Sequence, residues 1–418
     1  MNIPNPLLLC LLLAVQAFGQ NNISQQLQQL SKQHQFAKMD SLNNTVSSRE
    51  YYFYKGLYAN VCNNPKLSNS YLDSLKNSKI KNSYEFVKLK NDNHIKLFQY
   101  DLAYKTSRTL TGKFQKHFTE EELDDEINAQ RIWQTLSNQP AQSIEKFTTV
   151  TLPSVKDKAG LITTSVSAHG TQTDFVFDTG AGISCITESM AEKLGMTMLP
   201  DNNIMVESFT GQKNKVRIAM APEIMLGELK IHHAMFLVYP DTAFTFANGA
   251  YVINGIIGFP IVKELGTITL EKDRLTFSKH PETTTSEKNL FTDQLRAIVM
   301  LKYKGKMLPF NFDSGAKVSL FNKSFYETFQ SGLDRDGILE TITSSGAGAA
   351  MVTSEVLVVK DQELFLGKKS ILLPKMEIDR NDYGVYGNVS FGNIGQDIIG
   401  QFKKVIMSFE HNYLRLEN

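Results

Sequence analysis

Only three cysteines, Cys10, Cys62 and Cys185, occur in 418 residues. That is too few for a disulfide-stapled scaffold, and their positions match no structural metal spacing. Charge of one sign is missing too: 44 Lys and Arg face 43 Asp and Glu, a net of +1. Such a balance excludes the basic surplus by which nucleic acid or an anionic membrane surface is held. Beyond residue 20 no apolar run approaches the roughly 18 residues that a spanning helix needs. The H-E-x-x-H, G-x-S-x-G and Cys–His hydrolase signatures are absent. His232 and His233 are adjacent in a strand-like run and point to opposite faces, so they do not form a shared metal site. No metal and no cofactor is expected.

The first residues differ from the rest. Leu7–Val15 is apolar, Ala17-Phe18-Gly19 is a small-x-small cleavage pattern, and Gln20-Asn21-Asn22 follows. The stretch predicts a secretory signal peptide over residues 1–19 and an exported protein, periplasmic, cell-surface or extracellular. A lipoprotein with Cys10 as the acylated residue is the weaker alternative, because Leu9 stands where a small residue is wanted. Cys62 and Cys185 remain in the mature chain, in segments of different character, and no disulfide between them is expected.

Residues 20–145 read as a helical domain. Tyr51, Tyr54, Tyr58 and Val61 recur at helical steps, and Asn63-Asn64-Pro65 stops that helix. The aromatic stripe reads as core rather than as a ligand box. Thr119 and Glu122 form a capping box ahead of Leu123, Ile127, Ile132 and Leu136, and Asn138-Gln139-Pro140 closes the segment. The helix pairs loosely resemble tetratricopeptide-type hairpins, without a fixed period.

From residue 146 the pattern becomes that of short strands. A polar linker at 280–289 divides this region into 146–279 and 290–418, and the two parts are copies. VSAHGTQTDFVFDTGA, ending at Ala181, stands against LKYKGKMLPFNFDSGA, ending at Ala316. Gly170 and Gly305 each lie eight residues before an Asp, at an expected hairpin turn. Downstream, Leu226-Gly227 matches Leu366-Gly367, and Gly255-Ile256-Ile257-Gly258 matches Gly392-Asn393-Ile394-Gly395. About 0.2 chance Asp-Ser/Thr-Gly tripeptides are expected at this length. Two of them in matching contexts establish an internal duplication.

Asp178-Thr179-Gly180-Ala181-Gly182 and Asp313-Ser314-Gly315-Ala316 resemble the active-site loops of aspartic proteases. The short copies and their Ile-Gly segments are closer to the retropepsin-like branch than to the longer pepsin lobes. The resemblance covers roughly residues 150–418 and leaves out the helical segment. It implies a multidomain chain: an N-terminal α-helical domain, then a mainly-β bilobal fold of two retropepsin-like lobes, each lending one Asp. It also implies a polypeptide substrate, catalytic Asp178 and Asp313, and a monomer. Thr179, Gly180, Ser314 and Gly315 would support the loops, with the two hydroxyls hydrogen-bonded across the lobes. The chemistry is consistent. Hydrolysis without metal or covalent nucleophile needs a base for water and an acid for the substrate, and two close carboxylates sharing one proton supply both; aspartic proteases are the standing example of that rule.

A flap hairpin is expected over the cleft, at Phe209, Thr210 and Gly211 in the first copy or at Gly346, Ala347 and Gly348 in the second. Lys317 departs from the resemblance, since a small or acidic residue is usual there. It either faces solvent or a local carboxylate, or it lies along the cleft and favours ionised Asp313 or an acidic substrate group. Three other readings stand beside an endopeptidase: a non-catalytic peptide-binding protein on the same fold, lobes paired between two chains, and a helical domain that is itself the functional part. The helical domain would recruit a protein partner or substrate, or cover the cleft as a pro-region.

Overall fold

Helices come first and strands second. The computed structural model describes residues 23–45, 51–208, 211–280, 288–346, 351–382 and 390–418. The expected signal peptide and most of the linker lie outside them. No helix among the described residues is long and apolar enough to cross a membrane.

The helical region runs from a helix at 23–32 to Glu120–Leu136. Its local signals act where the sequence puts them. Asn63 takes a positive φ after the helix Tyr52–Val61, and Asn64 then caps the helix Pro65–Asp73 by accepting from Leu67 N at 3.1 Å. Thr119 Oγ1 accepts from Glu122 N (3.2 Å), and Glu122 Oε2 accepts from Thr119 N (2.7 Å), closing the capping box. Tyr51 and Val61 are buried, with Tyr54 and Tyr58 packed beside them, so the aromatic stripe is core.

That core is shared with the β region. Phe36, Met39, Tyr51 and Val61 pack against Phe291, Ile298 and Met300 of the second copy. At the other end, Tyr100, Ile132, Trp133 and Leu136 pack against Leu199, Ile204, Val216 and Ile218 of the first. The helices therefore span both copies. Burying such a side chain contributes roughly 1.5–3 kcal/mol, so this contact is a fixed one. Between the two patches lies a buried polar knot. Lys96 Nζ donates to Asn60 Oδ1 (2.9 Å) and Thr292 Oγ1 (3.0 Å) and pairs with Asp92 (2.9 Å). Lys263 Nζ donates to Lys96 O at 2.9 Å.

Among the described residues each copy centres on one large sheet, of ten strands around the first, counting Ser143–Ile144 from just before it, and of eight in the second. Their centres share one topology. In the first, Thr171–Phe177 pairs antiparallel with Ile162–Ala168 and parallel with Gly255–Ile257, which pairs antiparallel with Ser184–Thr187. In the second, Lys306–Phe312 pairs in the same senses with Arg296–Tyr303 and Gly392–Ile394, and the latter with Leu320–Phe321. The hairpin turns agree as well: His169-Gly170 and Lys304-Gly305 all have positive φ, as a two-residue turn demands. Ser143–Ile144 is an edge strand of the first sheet, so the helical region ends before residue 143.

The terminal strand pairs of the copies leave their sheets and join. Thr267–Glu271 lies antiparallel to Lys404–Ser408 inside a five-stranded sheet completed by Thr149–Pro153, Arg274–Ser278 and Tyr413–Glu417. Both copies share its backbone hydrogen bonds, which fixes the Asp-bearing loops relative to each other.

Candidate active site

Each Asp stands just past the end of a strand whose alternate residues enter the core. Phe175 and Phe177 are buried in the first copy, Phe310 and Phe312 in the second. The next backbone amide is held by the Ile-Gly segment: Asp178 N donates to Ile257 O and Asp313 N to Ile394 O, both at 3.0 Å. The loops close on the same segments, with Phe259 N donating to Ala181 O (2.7 Å) and Gln396 N to Ala316 O (2.8 Å). Gly258 N donates to Ser184 Oγ (3.0 Å), and Gly395 N to Ser319 Oγ (2.9 Å). The Gly255–Gly258 and Gly392–Gly395 segments are thus scaffold beneath the loops.

Thr179 and Ser314 are fully buried where the copies meet. Thr179 Oγ1 donates to Phe312 O (2.5 Å) and accepts from Ser314 N (3.0 Å). Ser314 Oγ donates to Phe177 O (2.7 Å) and accepts from Thr179 N (3.1 Å). Four hydrogen bonds of this kind hold the two loops in register.

The brace brings the Asp178 and Asp313 carboxyl groups together, close enough for each to shift the other's titration. Each carboxylate lies against the glycine of the opposite loop. A β-carbon on Gly180 would collide with the Asp313 carboxylate, and one on Gly315 with that of Asp178. Only glycine permits that approach. Asp178 Oδ1 accepts from Gly180 N (2.7 Å) and Ala181 N (3.1 Å), while Asp313 Oδ1 accepts from Gly315 N (3.0 Å). Burial raises the Asp178 carboxyl above its ordinary value, against the pull of those amides. Burial raises Asp313 further, reinforced by the charge of Asp178. The pair binds its last proton firmly and titrates as a unit. Between its two titrations such a pair offers one base and one acid on either side of a shared proton.

The pair is not symmetric. Asn393 Nδ2 donates to Asp313 Oδ2 at 3.3 Å, and Asn393 Oδ1 accepts from Asn311 Nδ2 at 2.8 Å. Among the described residues Asp178 has no such neighbour, because Ile256 occupies the position matching Asn393. Sequence comparison pairs Ile256 with Asn393 but does not reveal this bond. The signal was the polar residue at one of two otherwise matched positions.

Lys317 is exposed and forms no ion pair among the described residues, in keeping with its solvent-facing reading. Cys185 is a free thiol near Asp178; burial, and next the Asp178 charge, push it up to about 12, so it is protonated and inert as a nucleophile. Among the described residues no group of three or more His, Cys, Asp and Glu is placed to hold a metal ion.

Both expected hairpins exist. In the first copy Ile204–Glu207 pairs with Lys213–Leu226 and leads toward Gly211; in the second Ile338–Ser345 pairs with Met351–Leu366 beside Gly346. Phe209, Thr210, Ala347 and Gly348 lie outside the described residues. The hairpins differ in support. Helix Glu120–Leu136 grips the first, with Arg131 Nη1 donating to Asn203 O (3.1 Å) and Met205 N to Asn128 Oδ1 (3.3 Å). Ile338 and Leu339 of the second are exposed.

A family model described as "Aspartyl protease" matches residues 164–261, a stretch that holds Asp178 and Gly258. Asp313 lies beyond it. No curated protein matches the chain. The matched stretch is aspartyl protease-like, and the two large sheets behind an N-terminal helical region agree with a bilobal fold of that kind.

Proposed function

We propose that this protein is an exported aspartic endopeptidase that hydrolyses peptide bonds with a water activated between Asp178 and Asp313. The reading is carried by one observation: the two Asp loops are locked together by Thr179 and Ser314, with each carboxylate against the glycine of the opposite loop. One carboxylate takes a proton from water as its oxygen attacks the scissile carbonyl carbon. The other, protonated, gives its proton to the carbonyl oxygen. As the tetrahedral intermediate collapses, the C–N bond breaks, the carboxyl that took the water proton gives it to the departing nitrogen, and the other carboxylate takes a proton from a hydroxyl of the intermediate, so that the pair ends singly protonated. Neither role belongs permanently to one residue, because the protons belong to the pair. The sheet built from both copies supports catalysis by a single chain, a monomer. A cleavable leader at residues 1–19 supports export, and the helix pairs, which loosely resemble tetratricopeptide hairpins, suit a protein partner or substrate.

The test is to make Asp178→Asn and Asp313→Asn separately and to assay cleavage of an unfolded protein from acid to neutral pH. Either change should remove activity, by about 10³-fold or more. Restoration on mixing the two variants would transfer the reading to lobes paired between chains. A parent protein that binds peptides and cuts none would leave the non-catalytic reading.

A further inference from the structure

We propose that Asn393 is a positioning residue which, held by Asn311, sets the protonation of the dyad from the Asp313 side. This inference rests on the proposed dyad and goes beyond it, since nothing in the duplication calls for an asymmetric pair.

The argument begins with register. Val176 pairs with Ile256 in the first copy, and Asn311 pairs with Asn393 in the second. At these matched positions the first copy has hydrocarbon and the second a pair of amides. The amides are linked in one direction: Asn311 Nδ2 donates to Asn393 Oδ1 at 2.8 Å, which turns Asn393 Nδ2 toward Asp313 Oδ2 at 3.3 Å. The arrangement has a cost. Asn311 Oδ1 is buried and unpartnered among the described residues. An orphaned buried acceptor destabilises the fold, which the Val–Ile pair of the first copy avoids. A polar pair kept beside a carboxylate at such a cost has its use at that carboxylate.

An N–H donor favours the ionised form of the acid it reaches. Asn393 therefore lowers the pH at which the dyad gives up its protons and steadies Asp313 Oδ2. It offers nothing to Asp178, which relies on Gly180 N and Ala181 N. The titratable and charged groups around the site are few. Besides the two Asp residues there is the protonated Cys185 thiol near Asp178. Asp397 accepts from Ser319 N (2.8 Å) and Ser319 Oγ (2.7 Å) beneath the second loop, and Lys317 is exposed. None of them donates to Asp313 Oδ2.

The experiment compares the parent with Asn393→Leu, which keeps the shape and removes the donor, and with Asn311→Val, which frees the amide of Asn393. Two readouts are taken on the full chain: the pH profile of kcat/KM on an unfolded protein substrate, and the carboxyl ¹³C titration of Asp178 and Asp313. The expected result for Asn393→Leu is that both limbs and both titration steps move to higher pH by about one unit. Below the acid limb this is a loss of about tenfold in kcat/KM, with KM on the plateau unchanged. Asn311→Val should move them the same way by less. An unchanged profile with a lowered kcat would overturn the proposal, and so would a shift to lower pH, which would mean that Asn393 accepts a hydrogen bond from protonated Asp313. Loss of the dyad reading is recognised separately, by a parent whose cleavage survives Asp178→Asn and Asp313→Asn. In that case, and in the case of a parent that cuts nothing, the ¹³C titration alone decides whether Asn393 biases the pair.

Discussion

Thr179 and Ser314 each accept the other's backbone N–H and donate to the carbonyl of the residue before the other copy's Asp. Four hydrogen bonds, all buried, are thereby made by two hydroxyl groups. Removing one hydroxyl orphans a buried N–H and a buried C=O together. Thr179→Val should cost about 2–4 kcal/mol in urea unfolding, and Thr179→Ser less than about 1. Under the proposed function, Thr179→Val should also lower cleavage while Thr179→Ser keeps most of it. Equal stability of the two variants would show that the hydroxyl does not brace the loops.

How much of this was legible beforehand follows from what each feature depends on. The capping box of Thr119 and Glu122 is local chemistry, and so is the turn at His169-Gly170; both could be read directly. The Asp pair could be read because a duplication makes a distant contact visible as a repeat. Docking of the helices could not, because Trp133 meeting Ile204 leaves no pattern in either segment. Lys96 looks like any solvated helix lysine until Thr292 and Asn60 close around it. Asn393 was in plain view at a matched position, but its role depends on the amide of Asn311 across a strand pair.

The raised carboxyls of the dyad make a prediction about stability. Both folded-state values lie above the ordinary unfolded one, near 3.9 for Asp. The pair therefore contributes favourably below that value, and the contribution is lost as pH rises through the folded titrations. Asp313→Asn removes the like charge that Asp178 faces. The variant should melt above the parent at pH 7, with the gap closing as pH falls below about 4. Calorimetry at several pH values checks this; a gap independent of pH would contradict it.

Lys96 should be indispensable to the joint between helices and strands. Its ammonium is buried and paired with Asp92, whose Oδ1 is already unpartnered among the described residues. Lys96→Met leaves that carboxylate uncompensated and should cost about 3–5 kcal/mol in urea unfolding. Adding Asp92→Leu should return most of the loss, because a matched apolar pair replaces the matched charges. A single variant no less stable than the parent would show that the ion pair is dispensable.

The helical region is also expected to stay after any processing. A removable pro-region covers a cleft and leaves a folded enzyme behind. Here, removal would uncover Phe291, Ile298 and Met300 on one copy, and Ile204, Val216 and Ile218 on the other. It would also strip the first hairpin of its bonds to Asn128 and Arg131. A protease site engineered between Leu136 and Gln142, once cut, should therefore yield fragments that co-migrate under native conditions and part only in denaturant. Trp133→Ala, at a cost of about 3–5 kcal/mol, should speed amide exchange at Ile204–Glu207 while leaving Ile338–Ser345 unchanged. Release of the helices with a gain in cleavage would make the region a pro-segment after all. Co-migration with unchanged cleavage would make it a fixed wall beside the first hairpin.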